Sequence, residues 1–300
     1  EGRGGGLTIQ KLDGETGATP QGDASLEGIS FEIVNDSQNA VVVNGSTAQP
    51  EQVVMTITTN VAGVASTGES TLPYGEYTVR EVSTNDSMLQ TFTEEISVTI
   101  NQDGQMLEYE AENEVGRGGI DLEKQDSQTG STPQGNSSFA GIDFEIINRS
   151  ANPVVVDGQT YAVGNVVMTI TTDESGHAST GNDVLPYGTY ELRETVPPEG
   201  YLLSDEVWRF EIVENGVVVE ATTEQSIDNQ VIRGDLQFVK VGEDGESNMH
   251  RFANVAFKLT SQTPGESHIV VTDENGEVRT TTEWNPHSTH THGNDGVADD

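Results

Sequence analysis

Three of the four lysines in the chain occupy the same sequence setting, at the end of a short strand-like segment. The segments are L-T-I-Q-Lys11, I-D-L-E-Lys124 and L-Q-F-V-Lys240. Because side chains in a strand alternate between two faces, each lysine shares its face with the apolar residues before it. We therefore expect these lysines to point into a core, where an amine is costly unless it pairs or reacts with another group.

Two further polar side chains are predicted to face the same cores. Glu81 ends the alternating segment Y-T-V-R-E, and Asn113 lies in the closing segment A-E-N-E-V. Glu194 and Asn229 occupy the matching positions of a second copy, and the lysine-to-glutamate separation is 70 residues in both copies. Each complete copy therefore offers one inward lysine, one inward glutamate and one inward asparagine on three different strands.

A buried lysine, glutamate and asparagine permit two interpretations. The first is a structural salt bridge with the asparagine hydrogen-bonded to it. The second is covalent: burial lowers the pKa of a lysine and raises that of a glutamate, so the amine can become a neutral nucleophile. Attack on the asparagine carboxamide, with the glutamate binding the oxyanion and protonating the departing ammonia, yields a Lys–Asn isopeptide bond. Repetition of all three residues in register favours the covalent interpretation.

An internal repeat organises the chain. A shift of 113 residues aligns positions 7–81 with 120–194 without a gap, and 41 of the 75 pairs are identical. A third copy begins in the same way but lacks the L-P-Y-G-x-Y segment and the closing asparagine. The copies predict four segments: a linker from a preceding segment over 1–6, complete domains over 7–116 and 117–232, and an incomplete third domain over 233–300.

The local patterns predict an all-β fold. Segments such as V-V-M-T-I-T-T and I-S-V-T-I are β-branched and alternating, and clusters of Gly, Asn, Asp and Pro separate them. No sustained helical periodicity is present. Many short strands in copies of about 110 residues are typical of a Greek-key sandwich, so we predict tandem immunoglobulin-like β-sandwich domains in series.

Composition narrows the function classes. The net charge of −37 argues against nucleic acid or an anionic membrane as a partner, and no apolar run is long enough to span a bilayer. The absence of cysteine excludes disulfides and thiolate chemistry. The first copy has no histidine, so a histidine-dependent hydrolase in every domain is excluded. We predict no enzyme beyond a single-turnover intramolecular reaction, and no cofactor.

Two features could suggest a metal ion. His287, His290 and His292 form an H-x-x-H-x-H pattern in a polar segment, which we interpret as a solvated loop. The acidic segments at Asp173 and Asp273 lack the dense ligand spacing of a calcium loop and are interpreted as hairpin turns. The prediction is therefore that the chain has no metal site.

Both complete copies resemble Cna B-type (SpaA-like, prealbumin-like) repeat domains of Gram-positive cell-surface proteins. The matching motifs are Lys11-Leu-Asp13 and Lys124-Gln-Asp126, the L-P-Y-G-x-Y block ending in glutamate, P-P-E-G-Y at 197–201, and the closing Asn-x-Val. The first copy departs from the pattern after its glutamate, where V-S-T-N-D-S replaces the Pro-Gly-Tyr segment.

This resemblance implies an immunoglobulin-like sandwich with a Lys–Asn cross-link and a catalytic glutamate. Carried over residue by residue, it assigns cross-linking to the lysine and asparagine and catalysis to the glutamate in two sets: Lys11, Glu81 and Asn113, then Lys124, Glu194 and Asn229. The third copy matches only at Lys240.

The function predicted from these features is a structural stalk segment of an extracellular adhesin. Its partners would be neighbouring repeats, and its wall anchor would lie outside this segment. One alternative is a module that binds host matrix protein or glycan, favoured by the atypical W-N-P-H sequence. Another is a pilin subunit that sortase polymerises through a lysine, for which Lys258 is the one lysine outside the repeated strand.

Overall fold

A computed structural model describes residues 4–221, 227–243, 249–260 and 267–280. Every regular element within these ranges is a β-strand, which confirms the predicted all-β class. Within the same ranges, no helix has the length and apolar character needed to cross a membrane.

The first unit (residues 4–115) is a two-sheet sandwich. Its strands are β1 (Gly4–Asp13), β2 (Ser30–Asn35), β3 (Val41–Val43), β4 (Ser46–Ala48), β5 (Val53–Thr58), β6 (Val64–Ser66), β7 (Leu72–Pro73), β8 (Gly75–Ser83), β9 (Met88–Leu89), β10 (Ile96–Ile100) and β11 (Met106–Val115). One sheet has the order β6-β1-β11-β9, with β7 also paired to β1, and the other has the order β10-β8-β2-β5. Strands β3 and β4 form a separate hairpin.

The second unit (residues 117–231) repeats this architecture. Its strands are β12 (Arg117–Asp126), β13 (Asp143–Asn148), β14 (Val154–Val156), β15 (Gln159–Tyr161), β16 (Val166–Thr171), β17 (His177–Ser179), β18 (Leu185–Pro186), β19 (Gly188–Glu194), β20 (Val207–Ile212), β21 (Val218–Glu220) and β22 (Ile227–Asn229). One sheet is built on β12, which pairs with β17, β18, β21 and β22, and the other has the order β16-β13-β19-β20. The predicted tandem sandwich architecture is thus confirmed.

The described part of the third unit contains only paired short strands. They are β23 (Gln237–Val239), β24 (Val241–Glu243), β25 (Met249–Arg251), β26 (Ala256–Thr260), β27 (Ser267–Val271) and β28 (Glu277–Arg279). They pair as β23-β28, β24-β25 and β26-β27.

The first and last strands of each complete unit are parallel neighbours. In the first unit, β1 pairs with β11 so that Asp13 lies opposite Asn113. In the second, β12 pairs with β22 so that Asp126 lies opposite Asn229. This pairing places the closing asparagine beside the strand that carries the lysine.

Alternation along β1 and β12 explains where the core sits. Leu7, Ile9 and Lys11 are fully buried, whereas the residues between them are half-buried. The inward residues of both sheets join one apolar cluster in each unit. Each lysine therefore ends an apolar row in the interior of the sandwich.

Lys240 corrects the sequence prediction, because it is exposed in the structure. Its backbone is paired on both sides, since its N–H donates to the Gly276 carbonyl and its own carbonyl accepts the Phe252 N–H. Phe238 is the half-buried residue of β23, and it packs edge-on against Phe257 at 4.8 Å between ring centroids. In the described part of the third unit, no counterpart of β8 or β11 encloses the amine. The expectation that Lys240 points into a core is therefore wrong for this structure.

Gly119 permits a close crossing in the second unit, which leads to a prediction. A Cβ at this position of β12 would overlap the Gly181 carbonyl oxygen, which is backbone and cannot move aside easily. We expect Gly119→Ala to lower the unfolding free energy of the second unit by about 1–3 kcal/mol, as overpacking does. Denaturant unfolding followed by near-ultraviolet circular dichroism would measure the change.

Gly234→Ala is the matched control for this substitution. A Cβ at Gly234 meets nothing within 4 Å, and the residue is not among the glycines with positive φ. Its effect should stay within about 0.5 kcal/mol, as for most surface substitutions. Equal stabilities of the two variants would contradict the proposed steric role of Gly119.

Candidate functional site

The candidate site of the first unit lies between the two sheets. Strand β1 supplies Lys11 and β11 supplies Asn113 from one sheet, while β8 supplies Glu81 from the other. All three side chains are buried, and Lys11 is fully so. The sequence-predicted residues are therefore brought together across the interior of the sandwich.

The Glu81 carboxylate bridges the amine and the carboxamide. Lys11 Nζ donates a hydrogen bond to Glu81 Oε2 at 2.6 Å, and Asn113 Nδ2 donates to Glu81 Oε1 at 2.7 Å. Each carboxylate oxygen thus contacts one of the two nitrogens that an isopeptide reaction would exchange.

The carboxamide oxygen of Asn113 is held by the backbone. It accepts hydrogen bonds from the Phe92 N–H at 2.9 Å and the Thr91 N–H at 3.2 Å. The sequence predicts that Glu81 binds this oxygen, whereas in the structure Glu81 contacts the amide nitrogen instead. These two donors were missed because every residue other than proline carries an N–H, so no residue type signals them.

Burial of Lys11 disfavours its charge, although two aromatic rings partly oppose this effect. The Phe92 ring centroid lies 5.2 Å from Nζ and the Phe31 centroid lies 5.8 Å from it, and both are cation–π contacts. Burial lowers the pKa of the Lys11 amine, and the hydrogen bond and charge of Glu81, with the charge of Glu112, offset only part of that shift. The amine is thus easier to deprotonate than a solvated lysine.

The second unit brings its three residues together less completely. Asn229 Nδ2 donates to Glu194 Oε2 at 2.7 Å, which reproduces the amide–carboxylate contact of the first unit. Lys124 Nζ instead donates to the backbone carbonyls of Ile227 at 2.7 Å and Gln125 at 3.0 Å.

Two buried oxygen atoms of this second set have no hydrogen-bond partner among the described residues. They are Glu194 Oε1 and Asn229 Oδ1. A carboxylate oxygen without a donor in a dry site is a natural proton acceptor. The Lys124 amine does not donate to this oxygen, because its hydrogen bonds go to the backbone carbonyls of Ile227 and Gln125.

Burial lowers the pKa of Lys124 to about 8, and the charges of Glu194, Asp228 and Asp126 oppose that shift. At neutral pH, about a tenth of this amine would be uncharged, far more than for a solvated lysine. A minor neutral fraction of the Lys124 amine is therefore present at neutral pH, although the amine hydrogen-bonds backbone carbonyls.

The acidic segments are turns, as predicted, but they do not close hairpins, because β16 and β17, like β27 and β28, pair with other strands rather than with each other. Asp173 Oδ1 accepts the N–H groups of Ser175 and His177, and Asp273 Oδ1 accepts those of Asn275 and Glu277. Within the described ranges, no group of three or more His, Asp or Glu side chains is arranged to hold a metal ion. The predicted loop at His287, His290 and His292 lies outside the described residues.

The lowered pKa of Lys124 leads to a prediction for a variant whose second unit lacks the asparagine. In Asn229→Ala, Lys124 keeps its amine and should titrate near pH 8 rather than 10.5. The unfolded chain then binds more protons between those values, so the unfolding free energy should rise with pH from about 8 to 10.5. The Lys124 Cε chemical shift and denaturant unfolding at each pH would measure both effects.

Asn229→Ala combined with Lys124→Met is the control for that titration. It removes the amine while keeping an apolar side chain, so the difference in unfolding free energy between the two chains isolates the contribution of Lys124. A difference that does not vary over this pH window would contradict the assigned pKa.

Comparison with known proteins agrees with this fold. Residues 5–115 and 118–226 each match the family described as SpaA, prealbumin-like fold domain. The solved structure of the Bacillus anthracis TIE protein is similar over 92% of this chain, with a TM-score of 0.55 and 24% identity. The chain spans 43% of the length of that protein.

Two pilins have lower structural similarity. The minor pilin of Streptococcus agalactiae has 20% identity and a TM-score of 0.31, with 77% of this chain and 97% of the pilin covered. The shaft pilin SpaA of Lactobacillus rhamnosus GG has 16% identity and a TM-score of 0.29, with 76% and 98% covered. No protein with a curated description matches the chain. On the two family matches, which together cover more than half of its residues, the chain belongs to the family of SpaA-type prealbumin-like fold domains.

Proposed function

We propose that the chain is a structural stalk segment of a Gram-positive cell-surface protein, with each complete domain locked by an autocatalytic Lys–Asn isopeptide bond. The observation that carries the proposal is the Glu81 carboxylate, which bridges the Lys11 amine and the Asn113 amide in a buried site. A salt bridge alone would not require the asparagine to be present at the same carboxylate in both units.

The reaction proposed for the first unit uses contacts that are already formed. Lys11 passes a proton from Nζ to Glu81 Oε2, and the neutral amine attacks Cγ of Asn113. The N–H groups of Thr91 and Phe92 then stabilise the oxyanion on Oδ1.

The carboxyl group completes the transfer. Glu81 lies against Nδ2 of Asn113, so it can deliver the proton to this nitrogen as the C–N bond breaks. The products are a Lys–Asn amide and one ammonia. The lysine nitrogen loses two protons in all: Glu81 passes the first to Nδ2, which leaves as ammonia, and Glu81 keeps the second, which is released as the amide forms. Because the fold holds all three groups together, proximity supplies much of the rate.

In the second unit, the same scheme requires a change of side-chain rotamer. Lys124 must leave the carbonyl groups of Ile227 and Gln125 and approach Asn229. The Glu194–Asn229 contact is in place, and the lowered pKa of Lys124 favours the neutral amine. The proposal therefore assigns the same roles to Lys124, Glu194 and Asn229.

The position of the proposed bond suits a load-bearing stalk. Strand β1 is parallel to β11, so tension that enters along β1 would pass from Lys11 through the bond to Asn113 and leave along β11. The residues between them would carry no load. In the loop-closure model, a cross-link of this span removes about 4–5 kcal/mol of unfolded-state entropy, which would also resist heat and proteolysis.

The alternatives of a host-binding module and a sortase-assembled pilin have less support. The W-N-P-H segment that favours binding lies outside the described residues. Lys258 is exposed on β26, and no recognisable pilin motif surrounds it. We therefore retain the stalk as the proposed role, with neighbouring repeats as partners and an extracellular location.

Intact mass tests the two bonds directly. The chain should weigh ~34 Da less than its sequence mass, because each bond releases one ammonia. Glu81→Ala and Glu194→Ala should each restore ~17 Da after correction for the substitution, since the proton carrier is lost.

Glu32→Ala is the matched control, because Glu32 lies on β2 in a surface ion pair with Arg80. Its mass should change by the substitution alone. If the unsubstituted chain has its full sequence mass, the covalent proposal is wrong and a buried salt bridge remains.

The backbone donors can be tested with proline. Phe92→Pro removes the N–H that binds Asn113 Oδ1, whereas Phe92→Leu keeps it together with an apolar side chain. Loss of one oxyanion donor slows such reactions by about 10²–10³-fold, so the first bond should form slowly in the proline variant while the second is unaffected. Mass spectra at intervals after cell-free synthesis would follow both bonds, and equal rates in the two variants would exclude this role.

A further inference from the structure

The T-P-Q-G loop of the first unit (residues 19–22) is docked into the second unit. The Gly22 N–H donates to the Pro153 carbonyl at 3.1 Å, and the Asn152 N–H donates to the Gly22 carbonyl at 3.0 Å. The Asp23 N–H donates to the Tyr187 carbonyl at 3.1 Å. These backbone contacts form a short two-way ladder between the units.

Two side-chain features make this contact specific. Gln21 is fully buried, and its Oε1 accepts the Val155 N–H at 2.8 Å. Gly22 has φ +58°, and a Cβ there would overlap the Tyr187 carbonyl oxygen. The receiving groove of the second unit is therefore shaped for a Gln-Gly pair.

The first unit carries the same groove without an occupant in the described chain. The shift of 113 residues maps Asn152, Pro153 and Tyr187 onto Asn39, Ala40 and Tyr74. These three residues lie in an open groove of about 410 Å³, bordered by residues 37–41 and 74–76.

The two equivalent tyrosines differ in burial. Tyr187 is half-buried and packs against the apolar core of the first unit, whereas Tyr74 is 77% exposed. The docked neighbour accounts for the difference, since both tyrosines belong to the same L-P-Y-G motif. Tyr74 thus marks a surface that is covered in the second unit and uncovered in the first.

One position changes which loop the groove of the first unit would accept. The Asp23 carboxylate of the first unit accepts the Ala151 N–H and the Thr189 hydroxyl of the second unit, both at 2.7 Å. The counterpart of Thr189 is Glu76, which would repel an aspartate at the position after Gly22. An asparagine there, as at Asn136 after the second T-P-Q-G, can donate its amide to Glu76.

Arginines before the first strands indicate where the occupant comes from. Arg117 pairs with Glu15 of the preceding unit at 2.5 Å, and Arg233 contacts Gln128 of the preceding unit. Arg3 precedes the first unit in a similar sequence, E-G-R-G against V-G-R-G at 115–118. A tethered neighbour also has a high effective concentration, whereas free chains of net charge −37 repel one another.

We propose that the groove beside Tyr74 receives the T-P-Q-G loop of a further SpaA-type domain joined ahead of residue 4, with asparagine rather than aspartate after the glycine. This interface goes beyond the proposed stalk role and does not depend on the isopeptide bonds. It would fix the orientation of one domain on the next through a repeated contact instead of a free linker.

An extended chain tests the proposal. A copy of residues 118–231, which contains the T-P-Q-G-Asn136 loop, is joined directly ahead of Gly2 of the full chain, so that its Val231 recreates V-G-R-G. Hydrogen–deuterium exchange is then measured over residues 37–42 and 74–76, whose sequences differ from those of the added copy. These segments should exchange about tenfold more slowly than in the original chain.

Two substitutions at the expected contact between Asn136 of the added copy and Glu76 are the matched controls. Asn136→Asp in the added copy should abolish most of the protection, and adding Glu76→Thr should restore it, because the pair then matches Asp23 with Thr189. The proposal is overturned if the exchange rates of these segments are the same with and without the added copy. It is also overturned if the two substitutions leave those rates unchanged. Protection in the original chain that grows with its concentration would identify a second copy as the occupant and would also overturn it.

Discussion

A lysine amine in a dry β-sandwich is the constraint on which the site depends. Lys11 and Lys124 end the apolar rows of β1 and β12, so neither amine can reach water without disrupting a core. An uncompensated charge there would cost several kcal/mol. The facing sheet supplies the Glu81 or Glu194 carboxylate, and the parallel last strand places the asparagine beside that carboxylate. The arrangement therefore couples both sheets and both ends of each unit at one point.

The two units meet this constraint differently. In the first, Glu81 contacts Lys11 directly and the N–H groups of Thr91 and Phe92 bind the asparagine oxygen. In the second, Lys124 uses backbone carbonyls and Glu194 contacts the Ser204 N–H. The segments between the glutamate and the closing strand differ in length and sequence, and they supply the N–H groups of Thr91 and Phe92 in the first unit and of Ser204 in the second. The same three side chains, repeated in two units with different loops, therefore lie in two electrostatic settings.

Strand alternation in the sequence predicts which side chains enter this site, but it does not predict the strand pairing or the backbone donors. Alternation predicts that Lys11, Glu81 and Asn113 face inward, because a half-buried strand has a strict period of two. It fails at Lys240, because no facing sheet or closing strand covers this lysine in the described part of the third unit. The parallel neighbourhood of β1 and β11 and the two donors at Asn113 depend on topology and loop conformation. Neither leaves a mark on residue types, so only the structure reveals them.

The cross-link and the junction share one strand, which connects the chemistry to the proposed mechanical role. Strand β1 carries Lys11 and ends at Asp13, whose Oδ1 accepts the Gln21 Nε2–H at 3.3 Å. Gln21 in turn binds the Val155 N–H of the next unit. A displacement of β1 would therefore disturb both the site inside the unit and its contact with its neighbour. In the proposed stalk, anchoring this strand covalently to β11 stabilises the loop that orients the following domain, so that internal locking and alignment between domains reinforce each other.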